Sequence, residues 1–151
     1  MRIMMMMMVM TMSSTDLGSA LREVLVEVPG VKDLSENIKA IGIVDRFLEH
    51  TRFMIFCNGG DEECYISSAD LMTRNIDHRI EVTCPVFDRN IRNELKQIFE
   101  IQWNDNVKAR KLDPSLSNRF VKPGKEQLRS QLEVYKYIRK TSLCLPEKEK
   151  Q

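Results

Sequence analysis

The chain has 151 residues, of which 42% are hydrophobic and 30% are charged. These values predict one soluble domain and exclude wholesale disorder, a collagen-like repeat and a polytopic membrane protein. The net charge of +1 hides a split, because residues 1–106 have a net charge of −6 and residues 107–140 have one of +7. The basic segment indicates either a polyanionic partner or a plain solvated surface, and charge alone leaves both open.

Residues 1–20 are predicted to be a Met-rich leader, disordered or artefactual, that lies outside the fold. The apolar run over residues 3–10 is far too short to span a bilayer, and no small-residue cleavage site follows it. The domain is therefore predicted over residues 21–141, with a charged tail over 142–151. The four cysteines form no C-x-x-C pair, so we expect reduced thiols in a cytoplasmic protein and no structural zinc site.

The first half of the chain reads as a series of strands joined by turns. Residues 21–28 form an apolar, β-branched run that the Pro29-Gly30 pair ends. Further strands are predicted over 38–44, 53–57, 63–67 and 79–86. The sequence Asn-Gly-Gly-Asp at 58–61 predicts a hairpin between the strands on either side of it.

Two helices are predicted in the second half. Apolar residues recur at helical spacing from Asp88 to Trp103, and Asp88 is a suitable N-cap. A loop is predicted over 113–124, and the second helix over 125–140. The side of that helix expected to pack on the sheet carries Leu128, Leu132, Tyr135 and Ile138. Strands followed by two helices predict a mixed sheet flanked by helices, of the α/β or the α+β class, and the order of elements alone does not decide between them.

Few side chains in this sequence suggest chemistry by themselves. His50 follows an unusually charged segment and is a candidate general acid or base, or else a surface histidine. Ser67, Ser68 and Asn75 could offer hydrogen bonds to phosphate oxygens, or they could simply be turn and capping residues. There is no Gly-rich Walker loop and no G-x-G-x-x-G motif, so spacing alone does not predict nucleotide binding.

Several stretches in one order nevertheless resemble a known family. They read SENIKAIGIVDRFLEH, NGGDEECYISSADLMTRNIDHRIEV, NDNVKAR, LSNRF and RSQLEVYKYI. Together they resemble the C-terminal, phospholipase D-like domain of bacterial polyphosphate kinases of the histidine-phosphorylating type. The resemblance implies a catalytic domain fragment of a kinase that reversibly transfers the terminal phosphoryl group of ATP to polyphosphate.

The same resemblance implies the roles of individual residues. His50 matches the second active-site histidine of the family, which is not the phosphorylated one, and Arg79 and Glu81 match a polar pair of the active site. Arg22 falls where the family has an arginine that binds ATP phosphate. The bound phosphate would also meet Ser67, Ser68 and Asn75.

The phospholipase D-like element itself is altered in this chain. It normally reads H-x-K and later G-S-x-N, but here Arg52 stands for the lysine and Asp70 for the asparagine. Both changes weaken a phosphodiesterase or nuclease interpretation, which remains one alternative. The other is a non-catalytic module that binds polyanions through residues 107–140.

The resemblance also implies cofactors and partners. ATP is a substrate and Mg²⁺ a cofactor, with no metal ligands expected in this chain. The phosphorylated histidine is expected in upstream domains, so the chain alone should be inactive. The full-length enzyme is expected to be a homo-oligomer without a nucleic-acid partner, in the cytoplasm, with membrane association left open.

Overall fold

The computed structural model describes residues 9–12, 39–70, 73–113, 115, 117–121, 124 and 126–143. Within these ranges the chain forms six strands in two three-stranded sheets, three α-helices and one short 3₁₀ helix. None of the helices in the described part of the chain is long and apolar enough to cross a membrane.

The first sheet has the strand order β1-β2-β6, with β1 over Val9–Met12, β2 over Ala40–Val44 and β6 over Ala109–Leu112. Strand β2 is central and pairs in parallel with β1 and antiparallel with β6. Ile41 and Ile43 alternate along β2 and are buried, at 6% and 0% exposure. They form the centre of the core, as expected for a β-branched strand with its inner face covered.

Strand β1 corrects the expectation that the start of the chain lies outside the fold. Val9–Met12 belong to the segment predicted to lie outside the fold, yet they pair with the free edge of β2. The low-complexity composition concealed a short apolar strand that satisfies backbone groups of β2. The strand predicted over residues 21–28, the Pro29-Gly30 turn and the tail from residue 144 lie outside the described residues.

The second sheet is antiparallel throughout, in the order β3-β4-β5. Strand β3 covers Phe53–Phe56, β4 covers Glu63–Ser67 and β5 covers Thr83–Pro85. The predicted hairpin between β3 and β4 is confirmed. Its connection is a 3₁₀ turn over Asn58–Gly60, where Gly59 has φ of +71° and Gly60 of +107°, a region that glycine enters without strain.

The predicted strand over 79–86 is shorter than expected. Only Thr83–Pro85 pair with β4, and a short helix α1 over Thr73–His78, which the sequence did not predict, precedes them. Residues 79–82 lie outside the strand, and the Glu81 carboxylate is engaged in side-chain hydrogen bonds there. Ile80 and Val82 are consequently 101% and 61% exposed.

Helix α2, over Arg89–Trp103, confirms the predicted helix and joins the two sheets. Asp88 is its N-cap and accepts hydrogen bonds from the amides of residues 90 and 91 at 2.8 and 3.0 Å. The ring of Phe99 contacts Phe53 of β3 edge-on at 6.2 Å and stacks on Trp103 at 6.4 Å. Trp103 in turn packs on the core of the first sheet.

The chain after α2 differs most from the prediction. Strand β6 was missed, and helix α3 spans Ser130–Leu143 and therefore starts five residues later than expected. The start is fixed by the fully buried carboxylate of Asp105, which accepts from the amide of Ser130 at 2.7 Å. Asp105 also accepts from the amides of residues 107, 108 and 109, which turns the chain into β6.

The predicted inner face of this last helix was wrong. Leu132, Tyr135 and Ile138 are 49%, 63% and 41% exposed, whereas Ser130 and Gln131 are buried. The first turn of the helix is instead buried through polar contacts with neighbouring segments, described below. The α/β class with two helices in the C-terminal part is confirmed.

Candidate functional site

The second sheet ends in a cluster of polar side chains that begins with a salt bridge. Arg52 precedes β3, and its guanidinium binds the carboxylate of Asp70, which follows β4, through two contacts of 2.5 and 3.1 Å. The Arg52 carbonyl also accepts from the amide of Ser67 at 2.9 Å. The two residues that depart from the phospholipase D-like element are therefore bonded to each other.

A second group of contacts lies beside this pair and is centred on Glu81. Its carboxylate accepts from the hydroxyl of Ser68 and, at 2.7 Å, from the amide nitrogen of Asn75. Asn75 lies on α1 and is only 3% exposed, and its Oδ1 has no hydrogen-bond partner among the described residues. The hydroxyl of Ser68 also accepts from the amide of Val82 at 3.0 Å. Helix α1, β4 and the segment before β5 thus converge on one carboxylate.

The hydroxyl of Ser67, beside this group, is hydrogen-bonded to neighbouring groups of the protein. It contacts the hydroxyl of Thr83 at 3.0 Å and accepts from the amide of Ala69 at 3.1 Å. These contacts fasten β5 to the end of β4 and leave the hydroxyl engaged by the protein. Ser68 and Asn75 are likewise engaged, so none of the three predicted phosphate-binding side chains has all of its hydrogen-bonding groups free.

The charges of the cluster nearly cancel. The hydrogen bonds from Ser68 and Asn75, helped by the nearby positive charges of Arg79 and Arg52, hold the pKa of Glu81 below its usual range. The hydrogen bond with Asp70 raises the pKa of Arg52. Glu81 is thus an anion at neutral pH, suited to accept hydrogen bonds rather than to donate a proton. Two arginines face two carboxylates here.

The remaining predicted residues occupy different positions. His50 lies two residues before Arg52, and its side chain is exposed, with no hydrogen bond or ion pair to any described residue. Arg79 is exposed and influences Glu81 through its charge. His78 is exposed at the end of α1. Arg22 lies outside the described residues.

The structure adds residues that sequence reasoning did not place in the site. Arg52 and Asp70 were noted only as departures from a motif, although position 70 gained a negative charge while position 52 kept a positive one, which was a signal of pairing. Thr83 and Val82 gave no signal, because their role depends on the register of β4 and β5. No group of three or more His, Cys, Asp and Glu side chains within the described ranges is placed to hold a metal ion.

Comparison with known proteins identifies the fold around this cluster. Residues 17–131 match the family model described as polyphosphate kinase C-terminal domain 2. The chain is 50% identical over 121 residues to the polyphosphate kinase of Escherichia coli K12, which covers 80% of this chain and 17% of the relative. It is 50% identical over 113 residues to the polyphosphate kinase of Klebsiella pneumoniae, covering 74% of this chain and 16% of the relative.

A solved structure agrees with these matches. The crystal structure of polyphosphate kinase from Porphyromonas gingivalis superposes with a TM-score of 0.75 at 34% identity, covering 93% of this chain and 24% of that chain. The chain thus spans about a sixth of the length of the curated relatives and about a quarter of the solved one. The resemblance found in the sequence is confirmed, and this chain belongs to the polyphosphate kinase C-terminal domain family.

Proposed function

We propose that this chain is the C-terminal catalytic part of a polyphosphate kinase that transfers the terminal phosphoryl group of ATP reversibly to polyphosphate. The observation that carries the proposal is an exposed histidine, His50, two residues before the Arg52 that pairs with Asp70, on a fold shared with a polyphosphate kinase. Membership of the family and the names of the relatives support the same reaction.

In the proposed reaction the bond between the γ-phosphorus and the bridging oxygen of ATP breaks, and its electron pair leaves with ADP. The phosphoryl group passes to the family's nucleophilic histidine, expected outside this chain, and then to the terminal oxygen of polyphosphate. His50 acts by proton transfer and by stabilising charge on the transferred group. Glu81 holds Ser68 and Asn75 in place, and Arg79 faces the incoming phosphate.

The charge balance of the cluster favours a site completed by other groups. Phosphoryl transfer requires cations around the equatorial oxygens, and the described cluster offers two arginines already opposed by Asp70 and Glu81. Additional positive charge would come from Arg22 and from the rest of the enzyme. Mg²⁺ would belong there too, held by groups outside the described part of this chain.

The phosphodiesterase alternative is weaker. Asp70 occupies the guanidinium of Arg52 through two contacts, so the residue in place of the motif's lysine has fewer donors left for a phosphate. A non-catalytic polyanion-binding module remains as an outcome of the test below. Cytoplasmic location and a homo-oligomeric full-length enzyme are part of the proposal.

The test is a chimera in which the matched part of this chain replaces the corresponding 121 residues of the Escherichia coli polyphosphate kinase. We expect ATP-dependent polyphosphate synthesis by the chimera and none by the 151-residue chain alone. His50→Ala should lower kcat by ~10²–10⁴-fold, the usual size of general acid–base catalysis. His78→Ala, which removes another exposed histidine, is the matched control and should leave kcat unchanged.

The two variants should also melt at the same temperature as the parent chimera, because both side chains are exposed. Normal turnover in His50→Ala would contradict the catalytic role of this histidine. A chimera that folds and binds polyphosphate without making it would favour the non-catalytic module.

A further inference from the structure

The segment between β2 and β3, which carries His50, is held to the start of α3 by partly buried polar contacts. Asp45 is the first residue of the segment, and its side chain is only 2% exposed. The guanidinium of Arg129 binds its two carboxylate oxygens at 2.8 and 2.6 Å. The pair joins residues 84 positions apart in the sequence.

A second contact lies two residues further along the same segment. The side-chain amide of Gln131 accepts from the amide of Phe47 at 3.2 Å and donates to the carbonyl of Phe47 at 2.6 Å. Gln131 is 8% exposed. This double contact fixes the backbone of the segment itself, because both partners on Phe47 are main-chain groups.

Glu49 follows, and burial raises the pKa of its carboxyl while Gln102, at the end of α2, acts in the opposite direction. Gln102 is 2% exposed. The residues at 45 and 47 are therefore each held by a side chain from α3 or its flank, and His50 follows three residues after the second. Apolar burial contributes little here, since Phe47 and Leu48 are 61% and 57% exposed.

The backbone that carries Arg129 and Gln131 is itself held by hydrogen bonds. Ser130, between them, donates its amide to the buried Asp105 at 2.7 Å. Asn106 holds the preceding turn, accepting from the amide of Leu128 at 2.9 Å through its side chain and donating its own amide to the Leu128 carbonyl at 3.1 Å. A backbone held in this way can fix the position of the segment between β2 and β3, to which Arg129 and Gln131 are bound.

We propose that Arg129 and Gln131 are positioning residues that hold His50 in the geometry required for phosphoryl transfer. The inference deepens the proposed function and rests on it. Misplacement of a reacting group by about 1 Å can cost roughly a hundredfold in rate, so loss of either contact should act on turnover. Substrate affinity should change little, because the hydrogen bonds of both side chains go to Asp45 and Phe47 and not to the polar cluster around Glu81.

The first test is kinetic and uses the chimera described above. Gln131→Ala should lower kcat about tenfold or more and leave the KM for ATP within about twofold. Arg129→Lys keeps the charge but loses the two-pronged contact with Asp45, so it should show an intermediate loss. Gln97→Ala, which removes an exposed glutamine on α2, is the matched control and should behave as the parent.

A stability control separates positioning from general destabilisation. Leu112→Ala truncates a buried side chain of β6 and should lower the melting temperature without touching the contacts to the segment. We expect it to keep its kcat at a temperature where it is folded. A loss of kcat that follows the melting temperature in all of these variants would overturn the proposal.

The second test uses the 151-residue chain and needs no activity. Amide hydrogen exchange over residues 46–50 should become at least tenfold faster in Gln131→Ala, with the amide of Phe47 as the direct reporter, and should be unchanged in Gln97→Ala. Unchanged exchange at Phe47 would overturn the inference even if the chimera is active. A parent chimera without activity would instead contradict the proposed function and the role that rests on it.

Discussion

Arg52 and Asp70 face each other at the head of the candidate site, with side chains 27% and 31% exposed. Two parallel contacts give this pair a defined geometry. The partial exposure of the pair limits its contribution to stability, because solvent screens the attraction between the charges. The pair therefore fixes the position of the backbone just before β3 more than it stabilises the fold.

We expect a coupling energy of about 0.5–1 kcal/mol between these two side chains. The measurement is a double-mutant cycle with Arg52→Ala, Asp70→Ala and the double variant, followed by urea unfolding of the chain. Lys136 and Glu133, an exposed pair on α3 at 2.7 Å, provide the matched cycle and should couple less. Equal coupling in the two cycles would mean that the two-pronged geometry adds nothing.

Asp45 is a different case, because its carboxylate is buried. The hydrogen bonds from Arg129 hold the pKa of Asp45 below its ordinary value of 3.8, against the opposing effect of burial. A lowered pKa in the folded state means that the unfolded chain binds the proton more readily. The stabilisation is thus present above about pH 3.8 and is lost as the pH falls through the lower folded value.

Asp45→Asn should therefore cost about 1.5–3 kcal/mol of unfolding free energy at pH 7, the range for a hydrogen bond to a charged group. The difference from the parent chain should shrink as the pH falls below 3.8. Urea unfolding at pH 7 and near pH 3 measures both values. A difference that is the same at both pH values would contradict the assignment of this acid sensitivity to Asp45.

At the scale of elements, α2 is the part that ties the two sheets together. The helix is held by its cap, by its aromatic contacts and by two side chains that reach Glu62. Arg92 donates to the Glu62 carbonyl at 2.8 Å, and Lys96 binds the Glu62 carboxylate at 2.5 Å. The helix is thus held at its first turn, its middle and its end. Weakening its start should loosen the connection between β3 and the first sheet.

Asp88→Ala should destabilise the chain by about 1 kcal/mol, since it leaves the amides of residues 90 and 91 without their acceptor. Asp88→Ser, which retains a capping oxygen, should recover most of that loss. Thermal or urea unfolding of the two variants gives the comparison. Equal stability of the alanine and serine variants would show that the cap contributes through its charge at the helix start instead.

At the scale of the whole molecule, the basic segment over 107–140 is less available than its composition indicates. Arg129 is bound to Asp45, Lys136 to Glu133, and the guanidinium of Arg110 lies 4.0 Å from the centre of the Phe120 ring. Lys111 and Arg119 remain exposed on neighbouring stretches, joined by a backbone hydrogen bond of 2.8 Å.

The chain should accordingly bind polyphosphate weakly and with a marked salt dependence, because each phosphate contact releases counterions. Titrations at ~50 and ~200 mM salt should show the loss of affinity. Lys111→Ala and Arg119→Ala should each reduce the salt dependence, while Arg89→Ala, an exposed arginine outside the segment, should not. An affinity that is the same at both salt concentrations would mean that the basic segment is only a solvated surface.

The sequence by itself determined most local structure and the family. Alternation and turn residues predicted β2, β3, β4 and the hairpin, since burial of one face and glycine's conformational range act over a few residues. Helical spacing and an aspartate cap predicted α2. The resemblance located His50 and the Glu81 region, because those motifs are contiguous.

Tertiary structure alone decided the contacts between distant segments. The buried Asp105 set the start of α3, and the Asp45–Arg129 pair and Gln131 turned polar residues inward where apolar spacing predicted Leu132 and Tyr135. A buried carboxylate is stable only beside its donors, and the sequence does not show which distant donors meet it. The same reason hid the support of the His50 segment.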